Sequence, residues 1–177
     1  MKTLNAIARS FFGAGAGLSM GLVFAIIFVN SLRRYTVGQS VSWGEELPIY
    51  LTIYGVMFGL ALAYMQDRHI RFTVITDFLP ETVRQKLFAA VDLASCVTGI
   101  ALAYSGHAFT VRRGHLDASG LKSTGSWLAE TTGIEGLVWI AKVGTWQYAI
   151  AIGGVMLAVA ALLKFIERIS SFKAVPA

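Results

Sequence analysis

Three histidines, one cysteine and one carboxylate set inside an apolar run are the residues of this chain best placed to do chemistry. Two histidines on neighbouring helices can hold a haem iron, which makes His69 and His107 worth placing. A carboxylate such as Asp92, surrounded by Leu, Val and Ala, is either one member of a buried ion pair or a step in a proton relay. Cys96 is the only cysteine, so there is neither an internal disulfide nor a thiol metal site. No nucleophile, metal or phosphate-loop motif stands elsewhere. The sequence therefore yields no catalytic residue, no substrate-binding residue, no metal and no cofactor.

The elements that must position these residues are four apolar stretches, approximately 11–32, 47–66, 87–111 and 143–163. Each is long enough for a helix of about 20 residues to cross a bilayer. The first, second and fourth contain no Asp, Glu, Lys or Arg, and the third contains only Asp92. The fold expected is an all-α integral membrane protein, a single four-helix membrane domain over 1–177. On this frame His69 ends the second span, while His107 lies near the opposite end of the third. A hydrocarbon core about 30 Å thick separates them, so they cannot share one iron. His115 falls in the connection after the third span. Asp92 lies five residues past Leu87, about 7–8 Å deep at a helical rise of about 1.5 Å. A carboxylate that shallow finds water or a cation readily, which favours a structural role over proton transfer.

Composition agrees. Hydrophobic residues make up 55% of the chain and charged residues 14%, against about 25% charged in soluble domains. The net charge of +5 does not point to nucleic acid, because the basic residues bracket the spans. Lys2 and Arg9 before an apolar run resemble a signal peptide, but the run is too long and lacks a small-residue cleavage site, so it reads as a retained span. Nine Lys and Arg lie on the side of the termini and middle loop and six lie opposite, which places both termini inside.

Small residues recur every fourth position in the first three spans, as Gly13, Gly17 and Gly21, as Gly55, Gly59 and Ala63, and as Ser95, Gly99 and Ala103; in the fourth, Ala149, Gly153 and Ala161 keep the spacing but Leu157 interrupts it. Such ridges let helix backbones approach closely in lipid, against each other or against a partner. Ser42 and Glu45 have capping-box spacing, although Pro48 suits a helix starting nearer Glu46 or Leu47. Trp43 then sits at headgroup depth. In the long connection from Arg112 to Lys142, Trp127, Ile134, Val138 and Ala141 can share one face of a helix lying along the interface, with an irregular loop as the alternative. The middle loop carries an amphipathic patch, Phe78, Leu79, Val83 and Leu87.

Several short motifs run in order along this frame. Arg33-Arg34-Tyr35 follows the first span and Trp43-Gly44-Glu45-Glu46-Leu47 opens the second. Gly59, Ala61 and Ala63 lead to Asp67-Arg68-His69-Ile70, then come Leu79-Pro80 and Arg84, and Trp146-Gln147-Tyr148 begins the last span. In this the chain resembles the small membrane subunit (DctQ-type) of the tripartite ATP-independent periplasmic, or TRAP, transporters. It departs in its long Arg113–Lys142 connection and in having no clear proline after Tyr148.

The resemblance implies a bacterial inner-membrane accessory subunit. Its partners would be a large multi-span transporter subunit, a periplasmic substrate-binding protein that delivers an organic acid, and membrane lipids. Sodium coupling would belong to the large subunit. Structural or partner-facing roles are then expected for Trp43 as an interfacial anchor, for Glu45 or Glu46 as a cap or as partner to Arg33 or Arg34, and for Gly55 and Gly59 in packing. His69 would bond the last carbonyls of the second helix, and Asp92 would be structural. A membrane anchor of a respiratory redox complex and a self-contained small exporter are the alternatives.

Overall fold

The computed structural model describes residues 2–67, 76 and 78–172; His69 lies outside the described residues. Four long helices hold the four apolar stretches: α1 (Lys2–Val37), α2 (Trp43–Met65), α3 (Glu81–Arg113) and α5 (Val143–Phe172), with the shorter α4 (Ser119–Thr132) and a 3₁₀ run (Glu135–Ala141) between the last two. All four long helices have the length and hydropathy to cross a membrane. α1, with 36 residues, reaches about 54 Å at helical rise, well beyond the hydrocarbon, so it tilts or emerges into the headgroups.

α1 packs on α2, α2 on α5 and α5 on α3. The helices thus follow the order α1–α2–α5–α3, with α5 inside and α1 and α3 flanking. Burial follows this order: the most apolar window is 50% buried in α5 but 11% in α1 and in α3. The apolar core lies toward the end of the bundle where the chain begins and finishes, built from Phe12, Ala61, Tyr64, Met65, Met156, Leu157, Ala160 and Ala161.

The small-residue ridges divide into those that pack and those that do not. A Cβ placed on Gly99 would lie 2.6 Å from the Ala158 nitrogen, and one on Gly106 would lie 2.6 Å from that of Ala151. One on Gly154 would collide with the backbone of Ala103. The α3–α5 seam is therefore a close backbone contact that only glycine permits. Gly153 is turned the other way, against Met57 of α2. Gly55 meets Met20 and Ser19 of α1 at 3.1–3.4 Å, whereas among the described residues Gly17, Gly21 and Gly59 meet nothing within 4 Å. A four-residue repeat drifts about 40° around the helix at each step, so a straight ridge leaves a crossing neighbour after one or two contacts.

Three local expectations are corrected. α2 begins at Trp43 rather than near Glu46, and Pro48 lies inside it. The connection before it is fixed by Val41 N–H donating to Asn30 Oδ1 at 2.7 Å and Gly44 N–H donating to the Val41 carbonyl at 3.0 Å. That anchoring starts the helix upstream of Pro48, at the cost of one internal hydrogen bond. Ser42 adopts helical dihedrals and its side chain caps nothing, so there is no capping box with Glu45. In the connection after α3, Trp127, Ile134, Val138 and Ala141 do not share a helix. Gly133 takes the left-handed conformation (φ 70°) and ends α4, leaving Trp127 and Ile134 exposed and Ala141 buried.

Candidate functional site

Polar side chains gather at the two ends of the bundle. At the end bearing the termini, Asp92 is only 2% exposed. Its Oδ1 accepts a hydrogen bond from the Tyr64 hydroxyl at 2.8 Å and its Oδ2 accepts one from Arg168 Nε at 2.5 Å. The Arg168 guanidinium lies over the Phe88 ring, 5.0 Å from its centroid, and its Nη2 reaches Asp67 Oδ1 at 3.1 Å. Lys164, also buried, pairs with Asp67 Oδ2 at 2.5 Å and Glu167 Oε2 at 3.3 Å. Asn5 Nδ2 donates to that same Glu167 oxygen at 3.2 Å.

This network therefore draws on all four long helices. Local sequence explains its assembly. Lys164 and Arg168 are one helical turn apart, so both point the same way off α5. Asp67 lies just past α2 with φ 55°, a left-handed conformation that aspartate tolerates better than most residues. A carboxylate buried as deeply as Asp92 is costly unless it is paired and hydrogen-bonded, and here it is both. The arrangement holds helices together; both of its oxygens are already engaged by donors.

At the far end, Glu46 has the central place. Its Oε1 accepts from the Tyr50 hydroxyl at 2.9 Å and its Oε2 accepts from the Gly120 backbone N–H at 2.6 Å. The N-cap of α4, Ala118, offers no side-chain cap, so a carboxylate from α2 takes one of the unpaired N–H groups at that helix start. A Cβ on Gly120 would meet the Ser42 carbonyl at 2.6 Å, which explains the glycine. Tyr50 stacks on Trp146 with centroids 5.7 Å apart, and Trp146 Nε1 donates to the Ile140 carbonyl at 2.9 Å. The Tyr54 hydroxyl reaches the Thr145 carbonyl at 3.2 Å.

The base of the long connection is closed by a backbone clasp. Ala118 N–H donates to the Ala141 carbonyl at 2.7 Å and Val143 N–H to that of Leu116 at 2.9 Å. Asp117 pairs across the clasp with Lys142 at 2.6 Å and also with Lys122 at 3.1 Å. The hydrogen bonds from Lys142, and then from Lys122, hold the Asp117 carboxyl below its ordinary pKa.

Of the residues singled out from the sequence, Asp92 and Glu46 become centres of these clusters. Trp43 is half-buried at the start of α2. Arg33, Arg34 and Glu45 are exposed, and among the described residues neither arginine pairs with Glu45 or Glu46. Gly55 packs and Gly59 does not. His107 leans on Tyr148, 6.2 Å between centroids, and among the described residues no three His, Cys, Asp or Glu converge as a metal site. Sequence reasoning gave no role to Arg168, Lys164, Tyr64, Gly120 and Tyr50, and quoted Asp67 only as part of the motif that follows the second span. The available signal was the Lys164–Arg168 spacing just beyond the last span, at the depth Asp92 occupies on the third.

Similarity to known proteins points the same way as this frame. Over 109 residues the chain is 26% identical to the sialic acid TRAP transporter small permease protein SiaQ of Vibrio cholerae, covering 62% of this chain and 63% of that protein. A 78-residue stretch is 27% identical to the C4-dicarboxylate TRAP transporter small permease protein DctQ of the same organism, covering 44% of this chain and 33% of that one. A further 63 residues, 36% of this chain, are 29% identical to 10% of the sialic acid TRAP transporter permease protein SiaT of Haemophilus influenzae. The matched part is thus less than two thirds of the length of each of these relatives. Residues 23–171 match the family described as tripartite ATP-independent periplasmic transporters, DctQ component. The chain belongs to the DctQ component family of the TRAP transporters.

Proposed function

We propose that this chain is the accessory subunit of a sodium-coupled secondary transporter, bracing a large permease subunit in the bacterial inner membrane with both termini in the cytoplasm. A periplasmic binding protein delivers an organic acid to the assembly, and sodium and substrate pass through the large subunit. The observation that carries this reading is where polarity lies. The ionic and polar networks sit at the two ends, are internally bonded, and are separated by a glycine-packed apolar middle along α3 and α5. A transport path needs polar groups near the midplane, whereas a brace needs rigid helices, and this bundle has the second. The match of a stretch of this chain to a tenth of a much longer permease supports a small unit working against a larger one.

Affinity purification of the tagged chain from native membranes in mild detergent, with mass spectrometry, tests this. A stoichiometric, larger polytopic partner without an ATPase is the expected result. Purification alone, or with haem or flavoprotein subunits, would overturn it in favour of an exporter or a respiratory anchor.

A further inference from the structure

Between the far ends of α1 and α2 runs an open groove of about 430 Å³ that belongs to neither polar cluster. Its walls toward the middle of the span are Ile27, Pro48, Ile49 and Thr52, whose hydroxyl is already donated to the Pro48 carbonyl, and its mouth carries Arg34 and Glu45. Ile27 and Arg34 are seven residues apart on α1, which puts about 10 Å between the apolar and polar parts. Trp43, the residue before the groove-lining Gly44, is half-buried at the start of α2, the depth that indoles favour at a membrane interface.

Arg34 and Glu45 carry opposite charges and line one groove. Among the described residues, however, neither pairs with the other or with any other side chain. Two unspent charges of opposite sign above an apolar trough match a molecule that carries both signs on a short polar head and an apolar tail.

We propose that this groove holds one phospholipid with an ethanolamine headgroup. Its phosphate bonds the Arg34 guanidinium, its ammonium donates to the Glu45 carboxylate, and an acyl chain lies along Ile27 and Ile49. Arginine suits the phosphate because its fork binds two oxygens at once. A choline head lacks the N–H that Glu45 would accept. A glycerol head brings no cation and leaves Glu45 facing a phosphate. The inference stands on the groove alone and does not depend on the transporter reading.

The test uses the full chain, purified, delipidated and placed in vesicles of equal parts phosphatidylethanolamine, phosphatidylcholine and phosphatidylglycerol. Bound lipid is then read by native mass spectrometry. The expected result is one retained phosphatidylethanolamine per chain. Arg34→Ala should lower its occupancy about tenfold, the loss of one strong charge-assisted bond, and Arg34→Lys should restore part of it. Glu45→Gln should leave a lipid bound but remove most of the preference for ethanolamine over choline. Both side chains are exposed, so unchanged thermal unfolding should accompany these losses. Adducts that mirror the vesicle composition, or that both variants leave unchanged, would overturn the proposal. So would crosslinking from position 34 showing the groove filled by side chains of a larger subunit.

Discussion

The two ends of this bundle solve the same problem, fixing helices to one another in lipid, by different chemistry. Where the termini lie, side-chain ions do it: Asp92, Arg168, Asp67, Lys164 and Glu167 tie α3, α5 and the end of α2 together, Tyr64 and Asn5 join them from α2 and α1, and Asp92 and Lys164 are nearly out of solvent. At the far end a carboxylate caps a helix backbone, aromatic rings stack, and main-chain bonds close a clasp. A network of buried ions fails badly when one member is lost, because the remaining charge stays buried. A set of caps and clasps loses one hydrogen bond at a time. The first end should therefore be brittle and the second should fray.

The largest effect is expected from Arg168→Met. It leaves Asp92 with the Tyr64 hydroxyl but without its cation, and removing one member of a buried pair costs about 3–5 kcal/mol. Thermal unfolding in mild detergent should show a clear loss of stability, with Asp92→Asn added to Arg168→Met recovering most of it. Asp92→Asn alone should be milder, since Arg168 keeps Asp67. If the single and double variants unfold alike, the network is not the lock described here.

Next in size is the α3–α5 seam. Gly154→Leu would force side-chain bulk into the Ala103 backbone, and overpacking of this kind costs about 1–3 kcal/mol or more. Gly59→Leu, in a ridge that reads the same in sequence, should leave the isolated chain's unfolding unchanged because open space lies beyond it. A loss of assembly with a larger subunit in Gly59→Leu, with intact folding, would place that face at the partner.

Glu46→Ala comes third. It removes the cap on Gly120 and the partner of Tyr50, a loss of about 1–2 kcal/mol by comparison with other helix caps. The effect should be local: faster proteolysis within 114–142 while the four-helix unfolding stays put. Loss of transport with assembly preserved would give Glu46 more than a structural part.

Element existence was legible because hydrophobic length is a local property that lipid enforces directly. The suspicion about Asp92 was legible for the same reason. Its partner was not, since Arg168 is 76 positions away and only the packing of α3 on α5 brings them together. The ridges misled in part because a spacing shows which residues share a face but not which neighbour that face meets. The capping box failed because Ser42 takes helical dihedrals itself, in a turn whose Val41 N–H is held by Asn30 of another helix. The role of Glu46 was half legible. A carboxylate in a first turn suggests a cap, and the helix it caps is α4 rather than its own.

The smallest effect concerns pH and separates the ends most finely. Asp117 is outside the spans, and bonding to Lys142 and Lys122 lowers its pKa below the ordinary carboxylate value. A folded-state pKa depressed below the unfolded one means that the charged form stabilises the clasp, fully so above the ordinary value of about 3.9. As pH falls through the lower folded value, the carboxyl takes up a proton and that contribution is lost. Amide exchange at Ala118 and Val143, whose N–H groups close the clasp, should therefore show protection holding from neutral pH to about pH 4 and weakening below it, after correction for intrinsic exchange. Asp117→Asn should show the weakened protection already at neutral pH and flatten the dependence. Exchange in Asp117→Asn that matches the parent at neutral pH would mean the backbone bonds alone close the clasp and the lysines merely sit nearby.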